Sequence, residues 1–326
     1  MRNPVLDGVQ YIGDPHLGRQ FSNISPEKQA WFSERQWETL REFFDNQTMP
    51  IVIVGDLFDK FTVSDAIKAR LLDLLSKTKG EHEIYILMGN HDSSKNTALV
   101  SSFDLVKSVV DSWDLPHLYM LKEPMAMLHD QRKLLIPWSA TKTAIEMFLD
   151  CSASLKHTPD TIVCHLDRLS YGDHESRNMI PFEQLEYHKV SKVINGHEHT
   201  PYQGFYGSIS YHGTGSMLPY SHAEDPEGTW FRTLTVEQAN QADVADLTDK
   251  FIRITGDDFS NLDQAKLIGA LTVSYKKVES VSDEPEFKVE SRSTAAIIKE
   301  VAAQLGTPDH IRDKVISELL EQQTDA

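Results

Sequence analysis

The residues able to do chemistry in this chain sit in short polar clusters, each directly behind an apolar run. Asp14-Pro15-His16 follows Tyr11-Ile12-Gly13, and Gly55-Asp56 follows Ile51-Val52-Ile53-Val54. Gly89-Asn90-His91-Asp92 follows Tyr85-Ile86-Leu87-Met88. His165 stands behind Thr161-Ile162-Val163-Cys164, and Gly196-His197-Glu198-His199 behind Lys192-Val193-Ile194-Asn195. The carboxylates of Asp14 and Asp56, the carboxamide of Asn90 and the imidazoles of His16, His165, His197 and His199 make a set of oxygen and nitrogen donors. The set suffices for two metal ions sharing one carboxylate. Neither Cys151 nor Cys164 takes part, which argues against a structural zinc site. Mixed oxygen and imidazole ligands suit manganese, iron or zinc. Two such ions about 3.5–4 Å apart fit in-line displacement at phosphorus, with a bridging water as nucleophile. The leaving oxygen then needs a donor that is not a ligand, and His91 is placed for that role.

Any one cluster reads equally well as a polar turn, because Gly-Asn suits turns. Five clusters behind five predicted strands do not. In open α/β sheets the C-terminal strand edge is where ligands bind. Asp59 and Asp92 read as groups that fix the loops rather than as ligands. Trp138 and the other nine histidines, His82 and His188 among them, read as core or surface.

The elements that must position these clusters are legible as well. Apolar runs at 9–12, 50–54 and 83–88 alternate with helical patterns at 26–45 and 63–75, giving βαβαβ and an α/β layered core. Ser25-Pro26 opens the first helix with a cap and a proline at the first helical position. Further strands are expected at 117–121, 133–136, 161–164 and 192–194. Residues 204–235 read as β-rich and as part of a second sheet. Beyond 240 the character changes: strands at 251–254 and 271–275 around a helical stretch near 262–267 read as a small α+β unit. An acidic linker at 280–293 precedes two short amphipathic helices within 294–326.

The chain has 326 residues, 40% of them hydrophobic, enough for one large domain with appendages or for two domains. Two cysteines, no apolar signal core and no run of about 18 apolar residues predict a soluble protein of a reducing, cytoplasmic compartment, with no membrane partner. Net charge is −17, from 49 acidic and 32 basic residues. That balance predicts weak binding of nucleic acid by this chain alone, unless bound cations or a basic partner offset it.

The order D-x-H, G-D-x-x-D, G-N-H-D, a lone H and G-H-x-H resembles the calcineurin-like metallophosphoesterase superfamily over residues 9–235. Within it, "GDPHLG", "GDLFD" and "GTGSMLPYSHAEDPEGTW" (213–230) are similar to the SbcD nuclease family of double-strand-break repair. The length, "IPW" at 136–138 and the C-terminal helices are most similar to the small subunit of tailed-phage recombination endonucleases. The resemblance implies a four-layer αββα sandwich at 1–240, a DNA-capping domain at 241–279 and helices at 294–326 that dock an SbcC-like SMC-family ATPase. It implies one ion on Asp14, His16 and His199, a second on Asn90, His165 and His197, Asp56 bridging, and His91 on the scissile phosphate. Manganese is the ion it implies, with magnesium, zinc and iron as alternatives. The implied activity is 3′→5′ exonuclease and endonuclease on double-stranded DNA ends, by a homodimer within a heterotetramer. The location would be the cytoplasm, that of a host cell if the chain is phage-encoded.

Three other readings compete. A protein phosphatase of this superfamily would carry G-D-x-x-D-R-G and G-N-H-E, where this chain has Lys60-Phe61 and Asp92. A small-molecule phosphodiesterase leaves the C-terminal additions without a role. A non-catalytic scaffold would be expected to have lost ligands, and none is missing.

Overall fold

The computed structural model describes residues 2–22, 24–94, 96, 98–168 and 178–277. The expected linker and the C-terminal helix pair lie outside the described residues.

Three sheets organise the described residues. The first has the order β1 (Val5–Leu6), β2 (Val9–Ile12), β3 (Ile51–Ile53), β4 (Ile84–Leu87), β5 (Leu118–Leu121). Its strands β2 to β5 run parallel and β1 closes the edge antiparallel. Parallel neighbours require crossovers. These are α1 (Pro26–Asp45), α2 (Asp65–Ser76) and α3 (Ser102–Ser112). Ser25 caps α1 by accepting the Lys28 amide, and Ser101 with Asp104 forms a capping box on α3.

The second sheet draws on β6 (Met125–Ala126), β7 (Lys133–Ile136), β8 (Thr161–Cys164), β9 (Lys192–Asn195), β10 (Tyr202–Tyr206) and β11 (Ile209–Gly213). Its order is β10-β11-β9-β8-β7-β6, with parallel pairing from β7 to β11 and antiparallel edges. The helices α4 (Ala144–Ser152) and α5 (Phe182–Tyr187) belong to its crossovers.

Side-chain alternation explains the layering. Val9, Tyr11, Val52, Val54, Tyr85 and Leu87 of the first sheet meet Leu135, Val163 and Ile194 of the second in one buried cluster. The alternate residues Ile12, Ile51, Ile53, Ile84 and Ile86 face Trp37, Leu40, Leu71, Leu75, Phe103 and Val106 of the helices. On the other side Leu134, Ile136, Ile162 and Val193 face Met147, Phe148 and Leu185. The result is the expected αββα stack, with both sheets covered on both faces.

The third sheet corrects the reading of 204–235 as wholly part of the second. Strands β10 and β11 do join the second sheet. β12 (Phe231–Thr235) instead pairs with β13 (Phe251–Gly256), which pairs with β14 (Thr272–Lys277), all parallel. Between them come α6 (Val236–Gln241), α7 (Val244–Leu247) and a 3₁₀ turn at Gln264–Leu267. The cause is apolar matching: Phe231 stacks on Phe251 with ring centroids 4.4 Å apart. The α+β unit thus begins ahead of residue 241. One face of this sheet packs on its own helices through Leu234, Ile252, Ile254 and Leu247. The other packs on α1 through Phe32, Tyr220, Phe231 and Phe251.

Phe32 is fully buried where α1 meets the third sheet, with the ring of Phe21 4.7 Å and that of Phe251 5.8 Å away. Phe32→Ala is expected to cost about 3–5 kcal/mol. Urea unfolding checks this. A midpoint unchanged from the parent would mean the third sheet is not held through this contact.

Candidate metal centre

Strands β2, β3, β4, β8 and β9 all end on one edge, and the backbone ties their ends together. The Val54 amide donates to the Ile12 carbonyl at 2.8 Å, and the Gly196 amide to the Cys164 carbonyl at 3.0 Å. His165 links the two sheets here, its Nδ1 lying 2.8 Å from the carbonyl oxygen of Val54. Gly55 is needed at its position: it has φ +87°, and a Cβ there would fall 2.1 Å from His165 Nδ1. At Gly89 a Cβ would meet the Asp56 amide and carboxylate at 2.1 Å.

The loops turn sharply behind these strands. Asp14, His16, Asp56 and His197 have φ of 40°, 46°, 43° and 67°. Residues with side chains rarely adopt this left-handed region, and such strain gathers at functional sites.

All the donors singled out in the sequence converge here. His16 Nε2 and His199 Nε2 lie 2.9 Å apart. Asp14, His16 and His199 each offer a ligand atom within 4.8 Å of the others, as do Asp56, His165 and His197. Asn90 Oδ1 lies 2.9 Å from His165 Nε2 and 3.0 Å from His197 Nδ1. Asp56 stands between the groups, 3.3 Å from His165 Nε2 through one oxygen and 3.9 Å from His16 Nε2 through the other. His91 also faces Asp56, with Nε2 4.0 Å from the carboxylate, and forms a third group with His16 and Asp56.

Charge and burial set what this cluster wants. Asp14 is fully buried, and burial pushes its carboxyl up to about 6 although His165 pulls it back. Asp56 is also buried. Burial would raise it, but the imidazoles of His165, His16 and His91 together outweigh this and hold it well below the usual carboxylate range. Burial alone would lower His165, yet Asp56 and Asp14 push it up to about 10. Burial drives His16 well below the usual histidine value. Two dry carboxylates thus draw on imidazoles for counter-charge. A divalent cation supplies that charge more strongly and fits this oxygen and nitrogen donor set.

Asp92 accepts the amides of Leu57, Phe58 and Gly89 at 2.9–3.0 Å, which binds the Asp56 loop to the Asn90 loop. Burial pushes its carboxyl up to about 7. The Asp59 carboxylate pairs with Arg19 at 3.0 Å, and its carbonyl oxygen takes His91 Nδ1 at 2.6 Å. Sequence reasoning did not assign contacts at this centre to four further residues. Gln36 Nε2 donates to the carbonyls of Pro15 and His16. Tyr220 donates its hydroxyl to Pro15. Asp167 Oδ1 lies 2.7 Å from His197 Nε2, and Glu224 Oε1 3.3 Å from His199 Nδ1. Gln36 had a signal: it is a polar residue on the apolar stripe of Phe32 and Leu40.

A family profile described as Calcineurin-like phosphoesterase matches residues 11–201, a span that holds Asp14, His16, Asp56, Asn90, His165, His197 and His199. The chain belongs to the calcineurin-like phosphoesterases. Among solved structures it is similar to the phosphopantetheinyl hydrolase (PptH) of Mycobacterium tuberculosis, at 13% identity and a TM-score of 0.41, over 65% of this chain and 93% of that one. It is also similar to GAP50, the anchor in the inner membrane complex of Plasmodium, at 14% identity and a TM-score of 0.37, over 64% of this chain and 71% of that one. No curated protein matches it. Membership implies metal-dependent hydrolysis of a phosphoester. No helix among the described residues is long and apolar enough to cross a membrane.

If Asp56 is the shared carboxylate, Asp56→Ala is expected to retain fewer than two ions per chain by metal analysis after gel filtration. The parent should gain about 2.7 kcal/mol at manganese concentrations near 100 times its dissociation constant, seen as a higher Tm than in EDTA. Two tightly held ions in the variant would contradict the shared role.

Proposed function

We propose that this calcineurin-like phosphoesterase is a DNA nuclease of the SbcD type, cutting double-stranded ends as a 3′→5′ exonuclease and cutting internally. One observation carries the reading. Residues 213–230, which resemble the segment behind G-H-x-H in those nucleases, are built into the centre: Tyr220 closes on Pro15, and Glu224 reaches His199. The α+β unit supports it, because Phe231 and Phe251 pack in the same buried cluster as Tyr220. That unit would be the DNA-capping element.

In this reading Asp14, His16 and His199 hold one ion, Asn90, His165 and His197 the other, and Asp56 both. When bound, the ions supply a nucleophile at neutral pH and charge stabilisation at phosphorus. Manganese is the ion proposed. The protein's own groups do the rest. His91 gives its Nδ1–H to the Asp59 carbonyl, which leaves Nε2, 4.0 Å from the Asp56 carboxylate, as the ring nitrogen that faces the centre. Its side chain is 38% exposed, whereas His16 and His165 are fully buried. His91 therefore contacts the scissile phosphate and gives the leaving oxygen its proton. The partner proposed is an SbcC-like SMC-family ATPase, docked by residues 294–326, with the nuclease as a homodimer in a heterotetramer.

The test is loss of an end-labelled duplex with manganese, magnesium or EDTA. Manganese-dependent loss of the 3′ strand is expected, and His91→Ala should cut turnover by ~10²–10⁴ with metal content unchanged. Hydrolysis of an aryl phosphodiester with no cutting of DNA, even with the ATPase added, would reject the nuclease reading. Truncation after Gly306 is expected to spare the nuclease and abolish ATPase capture. Retained capture would remove the docking role.

A further inference from the structure

Two histidines of the G-H-x-H motif are held by different carboxylates through opposite ring nitrogens. His199 meets Glu224 through Nδ1 at 3.3 Å and turns Nε2 toward His16 Nε2 at 2.9 Å. His197 meets Asp167 through Nε2 at 2.7 Å and turns Nδ1 toward Asn90 Oδ1 at 3.0 Å. We infer that Glu224 and Asp167 are positioning residues, each selecting the tautomer of one histidine and thereby setting the affinity of one ion separately from the other. The inference rests on the two-ion reading of the centre.

A neutral imidazole carries one N–H and one lone pair, and the partner of the N–H decides where the lone pair points. Glu224 accepts from Nδ1–H of His199, so the lone pair is on Nε2, on the side of Asp14 and His16. Asp167 accepts from Nε2–H of His197, so the lone pair is on Nδ1, on the side of Asn90 and His165. The motif places these histidines two residues apart, and opposite tautomers let them serve opposite sides.

Each carboxylate is itself fixed. Glu224 takes the Tyr220 amide at 2.8 Å and the Ser221 hydroxyl at 2.9 Å. Arg2 reaches across to the carbonyls of His199 and Ser216 at 2.9 Å and to the carbonyl of Glu224, so donor loop and acceptor loop are clamped together. Asp167 exchanges backbone hydrogen bonds with Asn178 and Ile180 at 2.9 Å. Its neighbour Arg168 forks onto Glu198, the residue between the two histidines, at 2.7 and 2.9 Å. Glu198 is thus committed to Arg168, and the outer support of the histidines falls to Asp167 and Glu224.

The experiment is a manganese titration of the full chain by calorimetry, with parent, Glu224→Gln, Glu224→Ala, Asp167→Asn and Asp167→Ala. The parent is expected to bind two ions. Each alanine variant should weaken one binding step by ~10–100-fold and leave the other within threefold. The two positions should affect different steps, and Gln or Asn should recover part of the loss. Tm in EDTA checks that the metal-free fold is intact. Where an alanine variant fails that check, its amide counterpart decides. As a spectroscopic signature, ¹⁵N–¹H long-range spectra of the zinc-loaded parent should show His199 protonated at Nδ1 and His197 at Nε2. A parent that binds fewer than two ions would refute the two-ion reading itself. Two ions in the parent with both steps unchanged, both weakened together, or one tautomer at both histidines would overturn this inference alone.

Discussion

The structure turns on two carboxylates kept away from water at the edge where the sheets meet. Asp14 and Asp56 are 0% and 1% exposed. Burying an ionised carboxylate costs several kcal/mol unless it is paired and hydrogen-bonded. The groups that draw them toward the ionised form are imidazoles, foremost His165. Backbone amides do the remaining work: His197 donates to Asp14 at 3.0 Å and His91 to Asp56 at 2.8 Å. Each of those amides belongs to the loop behind a different strand. The polar cluster therefore exists only when both sheets are stacked and their strand ends are level.

That demand explains the backbone around it. A strand that simply ran on would carry its next side chain along the sheet rather than across its end. Left-handed turns at Asp14, His16, Asp56 and His197 redirect the chain there. Such conformations cost about 1–3 kcal/mol each, and the surrounding contacts hold them. Asp92 fastens two loops through three amides, and Gln36 and Tyr220 fasten the Asp14 loop. These supports are not themselves donors to an ion. They fix the donors in a geometry the chain would otherwise relax.

Much of this was legible in sequence, for a physical reason. Strands buried on both faces must be continuous apolar runs, so Ile51–Ile53 and Ile84–Leu87 announce themselves, and the residues behind each run lie on the sheet edge by construction. The donors were readable because the loops behind strands are short. Asp167 was not readable, because it stands in no motif, and although Glu224 lies within the 213–230 segment, its contact with His199, like that of Asp167 with His197, is set by tertiary packing. β12 was misplaced for a related reason. Its alternation of Phe231, Thr233 and Thr235 with Arg232 and Leu234 marks a strand but cannot say which sheet takes it. That choice was made by Phe251, twenty residues on, stacking at 4.4 Å. The helices α3 and α4 also went unread. Both begin at capping boxes, Ser101 with Asp104 and Thr143 with Glu146, which only a local scan for the pattern would have found.

Exposure within the centre gives it a direction. His16 and His165 have fully buried side chains, while those of His197, His199 and His91 are 22%, 26% and 38% exposed. The carboxylates form the floor and the three histidines form the rim. A phosphoester that approaches over that rim meets the imidazoles of His197, His199 and His91 ahead of the buried Asp14 and Asp56 carboxylates. This order matters in a chain of net charge −17. Its long-range field repels an anionic substrate, with a reach of about 8 Å at physiological salt. Attraction therefore has to be local, supplied by the divalent cations that this donor set fits. An enzyme built in this way binds its substrate where it reacts and gains little from the rest of its surface.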